Sequence, residues 1–299
     1  MTIEGDYHGR PTRRIESRHL WLEALATAGP RIVRLGVAGS EDNLLAETPT
    51  DGWDTPFGRY ELFGGHRLWY APEDPERGAV PDVDGLRLED GPAGLRLTGR
   101  VEAPTGLVRS IAIELAAERP MLRLRHELCN SGTSSIQLAP WSITQLPLGG
   151  RVILPQAAAR QGHDVRPNRS LVLWPYTSWT DPRLGLHDGG VVVEAVAGPD
   201  LKIGYFNDAG WVAYERDGVS LIRRFEPVLG RPHPDLGSNV ETYSGSRYLE
   251  LELLGPLVTL NPNESTVLEE HWEVVAAAGD GSFRREALAD LLAIGSTAR

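Results

Sequence analysis

Apolar and polar residues alternate in short runs along most of this chain, and a period of two is the mark of a strand with one buried face. Residues 31–37, 94–99, 108–115, 121–128 and 248–253 follow the pattern closely. Residues 86–89 and 267–275 follow it as well, 136–146, 191–196, 202–206 and 211–214 read as further strands, and 20–25 fits either strand or helix. Gly29-Pro30, Gly91-Pro92, Pro104-Thr105-Gly106 and the polar cluster at 130–135 separate the runs and supply turns. Many short strands between turn signals predict an all-β sandwich or barrel. No helix of βαβ length intervenes, which sets aside a doubly wound sheet. Helical spacing occurs at residues 283–292, with Gly295 as its stop, a candidate short C-terminal helix. Residues 1–16 are polar and are expected as a loose lead-in to a single domain over 17–299.

The longest irregular stretch is 155–187, which carries His163, Asp164, Trp174, Tyr176 and Trp179. Long loops serve function or cap an edge, and the aromatic residues here suit a loop folded over a sheet face as the wall of a cleft.

A hydrophobic content of 41% in 299 residues is ample for a large core, and a net charge of −11 argues against nucleic acid or an anionic membrane as partner. The basic residues are almost all Arg, with Lys202 the only lysine, a bias that reads as codon usage. Cys129 is the only cysteine, so an intramolecular disulfide and a Cys-based zinc site are excluded. No run approaches 18 apolar residues and no apolar segment opens the chain, so the expectation is a cytoplasmic protein. There is no Gly-x-Ser-x-Gly elbow, no phosphate loop and no His-Glu-x-x-His spacing. No metal and no cofactor are expected.

Two places suggest chemistry. Phe63-Gly64-Gly65-His66-Arg67-Leu68-Trp69 joins two glycines, which let backbone approach closely, to an imidazole, a guanidinium and an indole. A sugar, with hydroxyl rims and apolar C–H faces, can use all three. The plainer reading is a glycine turn entering a strand, with Trp69 in the core. Strand alternation puts Glu241 and Tyr243 on one face, and Glu250 and Glu252 on one face of the next strand. If that face is concave, these carboxylates, Arg67 and the aromatic rings form a polar cleft with stacking walls.

These segments, in their order, resemble the aldose 1-epimerase (galactose mutarotase-like) superfamily. Gly29 to Leu35 is similar to its opening glycine-then-strand segment, and Gly64 to Trp69 to the region lining the sugar site. Leu128-Cys129-Asn130-Ser131-Gly132 with Leu138-Ala139-Pro140-Trp141-Ser142 resembles the central asparagine strand and its successor. Val240-Glu241-Thr242-Tyr243 resembles the segment bearing the catalytic glutamate, and 249–272 the closing strands. The resemblance implies a large antiparallel β-supersandwich and a sugar as ligand. It implies mutarotation, in which a carboxylate deprotonates the anomeric hydroxyl and an acid, usually histidine, protonates the ring oxygen. Glu241 takes the place of the base. Where the family has its histidine this chain has Trp141, and an indole cannot serve as a general acid near neutral pH. His66 is then the candidate acid, with Arg67, Trp69, Tyr243 and Glu252 as substrate-binding residues. His126 is a second candidate, read more simply as a core histidine bonded to backbone. Three functions remain open at this point: an aldose 1-epimerase-like enzyme; a non-catalytic carbohydrate-binding protein in which Trp141 is a stacking platform; and a lyase or hydrolase using Tyr243 or Tyr176.

Overall fold

The computed structural model describes residues 2–91, 94–156 and 166–276. Two large antiparallel sheets dominate it. Along the first, in spatial order, run Thr2–Tyr7, Arg10–Glu16, Leu20–Leu25, Arg31–Val37, His66–Ala71, Ile136–Pro147, Tyr248–Leu254, Val240–Ser244, Leu201–Tyr205 and Val172–Leu173, with Val258–Leu260 paired to the start of Ile136–Pro147. The second runs Leu184–His187, Gly190–Glu194, Arg151–Pro155, Trp211–Arg216, Val219–Phe225, Ser265–Ala276, Met121–Asn130, Leu107–Leu115, Gly94–Thr98 and Arg87–Gly91. The two sheets form an all-β sandwich. Its main core draws Leu22, Leu68 and Leu251 from the first sheet, and Ile111, Leu124 and Trp272 from the second.

The strands read from alternation are present. Leu20–Leu25 is a strand, and Met121–Asn130 alternates as expected, with Leu122, Leu124, His126, Leu128 and Asn130 all inward. Asn130 fixes the turn that follows: its side-chain amide donates to the carbonyls of Ser134 and Leu260 and accepts from the Gly132 N–H.

The lead-in expected at 1–16 is instead an edge hairpin, Thr2–Tyr7 with Arg10–Glu16. It looks like loop in sequence because charge pairs rather than apolar residues tie it down. Arg10 reaches Glu61 and Arg14 reaches Glu23, while Tyr7 and Ile15 supply buried apolar anchors. A second hairpin, Glu47–Thr55 with Gly58–Gly64, also has no alternating signature and projects over the open face of the first sheet. The candidate helix at 283–292, and His163 and Asp164, lie outside the described residues.

Candidate functional site

Register decides which side chains meet. Arg67, Ile143, Glu252, Glu241 and Gly204 are paired in one row across five neighbouring strands, so they share a face. A row two residues along holds Gln145, Glu250, Tyr243 and Lys202, and the row on the other side holds Trp69, Trp141 and Leu254. This is the open face of the first sheet. It floors a cleft of about 190 Å3 lined by Arg67, Trp69, Trp141, Ile143, Lys202 and Glu250, among others. Trp53 and Leu62 from the projecting hairpin form one wall; Tyr176, from the long loop, contributes another, as the sequence suggested.

Arg67, Trp69, Trp141 and Tyr243 come together here as expected, although the two indoles are not free platforms. The Arg67 guanidinium lies 4.7 Å from the centre of the Trp69 ring, and the Lys202 ammonium 4.7 Å from that of Trp141. Trp69 donates its N–H to Tyr60, and Trp141 donates to Glu252 at 2.7 Å. Arg67 donates to Glu250 at 2.9 Å, and Gln145 donates to the same oxygen at 3.0 Å. Of the indoles lining the cleft, Trp53 is the most open to solvent, at 41% exposure.

Lys202 organises the rest. Its ammonium lies 2.8 Å from Glu241 Oε2 and 3.0 Å from Glu252 Oε2, with the Trp174 ring 4.8 Å away. Glu241 and Glu252 are buried beneath it and do not line the cleft. Burial pushes both carboxyls up from the usual range. Lys202 pulls each back, while Glu252 pushes Glu241 further up and Glu250 does the same to Glu252. Burial alone lowers the Lys202 pKa, but the two carboxylates more than offset this and hold the amine protonated. The lone lysine is therefore the central cation of the site. The sequence carries only part of this signal: Lys202 shares strand parity with Gly204, but its pairing with Tyr243 is set by register, and an isolated lysine in an Arg-rich chain reads as chance.

His66 is not in the cleft. It is consecutive with Arg67 on a strand, so only one of the two can face outward, and Arg67 does. His66 is wholly buried between the sheets. Its Nε2 lies 2.7 Å from Nε2 of His126, its Nδ1 lies 2.8 Å from the Thr144 hydroxyl, and its ring meets Trp272 edge-on at 4.8 Å. His126 Nδ1 lies 3.0 Å from the Leu268 carbonyl, which can only accept, so His126 is the backbone-bonded core histidine of the simpler reading. The assignment that satisfies every atom is directional. Thr144 donates to His66 Nδ1, His66 Nε2–H donates to His126 Nε2, and His126 Nδ1–H donates to Leu268. Both rings are then neutral, and burial depresses both pKa values, His66 well below its ordinary value.

Beside them Glu270 accepts from Arg223, Ser142 and Trp272. Burial raises the Glu270 carboxyl, but Arg223 and these donors outweigh it and hold it below the usual range. His66, His126 and Glu270 bring ligand atoms within 4.8 Å of one another. They do not fit a metal centre well. Two imidazoles on one tetrahedral zinc sit roughly 3.3 Å apart at metal–nitrogen distances of ~2.0–2.1 Å, whereas this pair is at hydrogen-bond distance and each nitrogen is already used.

Gly64 and Gly65 do bring backbone close, but to the protein itself. Both have positive φ, 87° and 66°. A Cβ would lie 2.2 Å from the Ala46 carbonyl oxygen at Gly64, and 1.9 Å from that of Ile32 at Gly65. They let the chain turn out of the projecting hairpin and into the sheet.

No protein-family profile and no curated protein matches the sequence. Solved structures do match in shape. A TPR-domain-containing protein from Parabacteroides distasonis aligns over 92% of this chain and 49% of its own, with a TM-score of 0.65 and 14% identity, so this chain spans about half the length of that relative. A candidate aldose 1-epimerase from Klebsiella pneumoniae aligns over 98% of this chain and 86% of its own, at a TM-score of 0.59 and 10% identity. A galactose mutarotase-like protein from Lactobacillus casei aligns over 88% of this chain and all of its own, at 0.53 and 10%. The chain has the galactose mutarotase-like fold. At these identities the likeness establishes architecture, a large antiparallel β-sandwich, and leaves the chemistry to the residues. Among the described residues no helix is long and apolar enough to cross a membrane.

Proposed function

We propose that this protein binds a carbohydrate in the cleft and does not run the Glu–His mutarotation. One observation carries the reading: an aromatic-walled cleft holds Arg67, Glu250 and Lys202 in fixed ion pairs, with Glu241 shut beneath Lys202 and no described histidine lining it. Trp53 and Tyr176 offer apolar faces to sugar C–H groups. Arg67, Glu250 and Lys202 offer donors and acceptors to hydroxyls, and water is largely excluded around them. The Klebsiella relative's name and the shared fold support a sugar as the ligand class. In mutarotation a base and an acid must reach two different oxygens of one ring. Here the carboxylate in the position of the base faces an ammonium, and the histidine offered as acid is in the core.

Calorimetric titration with a panel of neutral aldoses tests this. Sugar binding is expected to survive Glu241→Gln and His66→Gln. Trp53→Ala is expected to weaken it about tenfold, the ~1.4 kcal/mol scale of one lost stacking contact. Polarimetry is expected to show anomer exchange no faster than in buffer. Failure of every sugar to bind sinks the proposal, and an acceleration of exchange that Glu241→Gln abolishes restores the epimerase.

A further inference from the structure

The cleft, at about 190 Å3, is smaller than the ~300–1,000 Å3 of most ligand pockets and suits a single ring. A further exposed aromatic residue lies three positions along the chain from the lining residue Tyr176. Tyr176 lines the cleft and is half exposed, and Trp179 is 82% exposed. Two residues, Thr177 and Ser178, separate them, so their Cα atoms are within about 11 Å. An indole this open is unusual, because tryptophan is highly buried on average. Among the described residues Trp179 has no ring partner and no acceptor for its indole N–H.

The segment bearing it is nonetheless firmly tied. Thr177 donates its hydroxyl to the Lys202 carbonyl at 2.7 Å and accepts from the Lys202 N–H at 2.8 Å. Asp181 is gripped by Arg183 through Nε and Nη2, at 2.9 and 2.7 Å, and Arg183 is anchored in turn to the carbonyls of Ser244 and Pro199. Trp179 therefore projects from a loop pinned, through Lys202, to the floor of the cleft. The pinned backbone holds an apolar ring in water with no contact that benefits the fold, and it lowers the ordering cost of a partner that stacks on the ring.

We infer that the ligand is a neutral oligosaccharide, with one ring in the cleft and the next stacked on Trp179. The inference rests on the carbohydrate reading above and adds the length and charge of the ligand. Neutrality follows from the ion pairs: Arg67 is paired to Glu250, and Lys202 to Glu241 and Glu252, so the floor carries no surplus positive charge to attract an acidic sugar.

Calorimetry on the full chain tests it, with glucose, galactose and N-acetylglucosamine against maltose, cellobiose, lactose, chitobiose and maltotriose. At least one oligosaccharide is expected to bind roughly two- to tenfold more tightly than its component monosaccharide, the scale of one stacked ring. Trp179→Ala should erase that advantage and leave monosaccharide affinity unchanged, while Trp179→Phe should retain part of it. Equal affinity for one ring and two in the wild type, or equal weakening of both by Trp179→Ala, overturns the inference and leaves monosaccharide binding standing. Binding of none of these sugars removes both.

Discussion

Lys202→Met will destabilise the folded protein by about 3–5 kcal/mol at pH 7, the usual cost of removing one partner from a buried ion pair. Lys202 neutralises two carboxylates at once. Glu241 and Glu252 are cross-strand neighbours, both almost inaccessible to solvent, and each is within 3.0 Å of the ammonium. Methionine keeps most of the apolar stem and removes the ammonium, which lies 4.7 and 4.8 Å from the Trp141 and Trp174 ring centres, so the loss is electrostatic rather than steric. The pH dependence distinguishes this from a packing defect. Burial already raises both carboxyls in the wild type, and without the lysine only the Trp141 N–H still pulls one of them, Glu252, back. A carboxyl whose folded pKa lies above its unfolded value binds more protons folded than unfolded. Its deficit is therefore relieved as pH falls toward the unfolded value, ~4.3 for glutamate. Denaturant unfolding should show the variant recovering much of its deficit between pH 7 and pH 5. A deficit that is the same at both pH values would mean that Lys202 acts through packing alone.

The same geometry explains what could be read from the sequence and what could not. Strands with one apolar face were legible because alternation is a direct image of burial. Met121–Asn130 and Tyr248–Leu254 are clear cases. The edge hairpin at 2–16 and the projecting hairpin at 47–64 were not, because ion pairs and isolated aromatic anchors hold them and leave no period. The open-face rows were half legible. The parity of Glu241 with Tyr243, and of Glu250 with Glu252, holds in the structure, but their order across the sheet depends on pairings distant in sequence. Which face carried the cleft was also legible in part, since His66 has the parity of Leu68 and Tyr70 while Arg67 has that of Trp69. His66 and Arg67, consecutive on one strand, therefore cannot both face the cleft. The core network follows the same rule. His126 shares parity with Leu124 and Leu128, Arg223 with Leu221 and Phe225, and Glu270 with Leu268 and Trp272, and all of these are buried. A titratable residue at core parity is a sequence signal for a buried polar network, and three such signals fall on strands that pair or face each other here.

That network leads to the second large effect, a loss of stability in mild acid carried by the His66–His126 pair. Both rings are buried, and the donor chain from Thr144 to Leu268 is that of two neutral rings. A proton on either puts a cation in the core near Arg223, and on His126 it sets two N–H groups against each other; Glu270, 3.8 Å from His126 Nδ1, offsets only part of the burial cost. The folded pKa values are thus depressed below the unfolded value of ~6.5, so below that pH the unfolded chain binds protons that the folded chain refuses. Stability is fully present above about pH 6.5 and falls as pH drops, by up to ~1.36 kcal/mol per pH unit for each ring. Glu241 and Glu252 act in the opposite sense over part of the range, and Glu270, held low by Arg223, adds to the loss only further into acid. The difference between wild type and a variant lacking one ring isolates the histidine share. His126→Gln, whose amide can still donate to Leu268 and accept from His66, should lower stability at pH 7.5 and flatten the slope between pH 6.5 and 5 by about 1.4 kcal/mol per unit. Parallel stability-against-pH curves for the two proteins would show that His126 carries its proton in the folded core. The one-way donor chain would then be the wrong description of the pair.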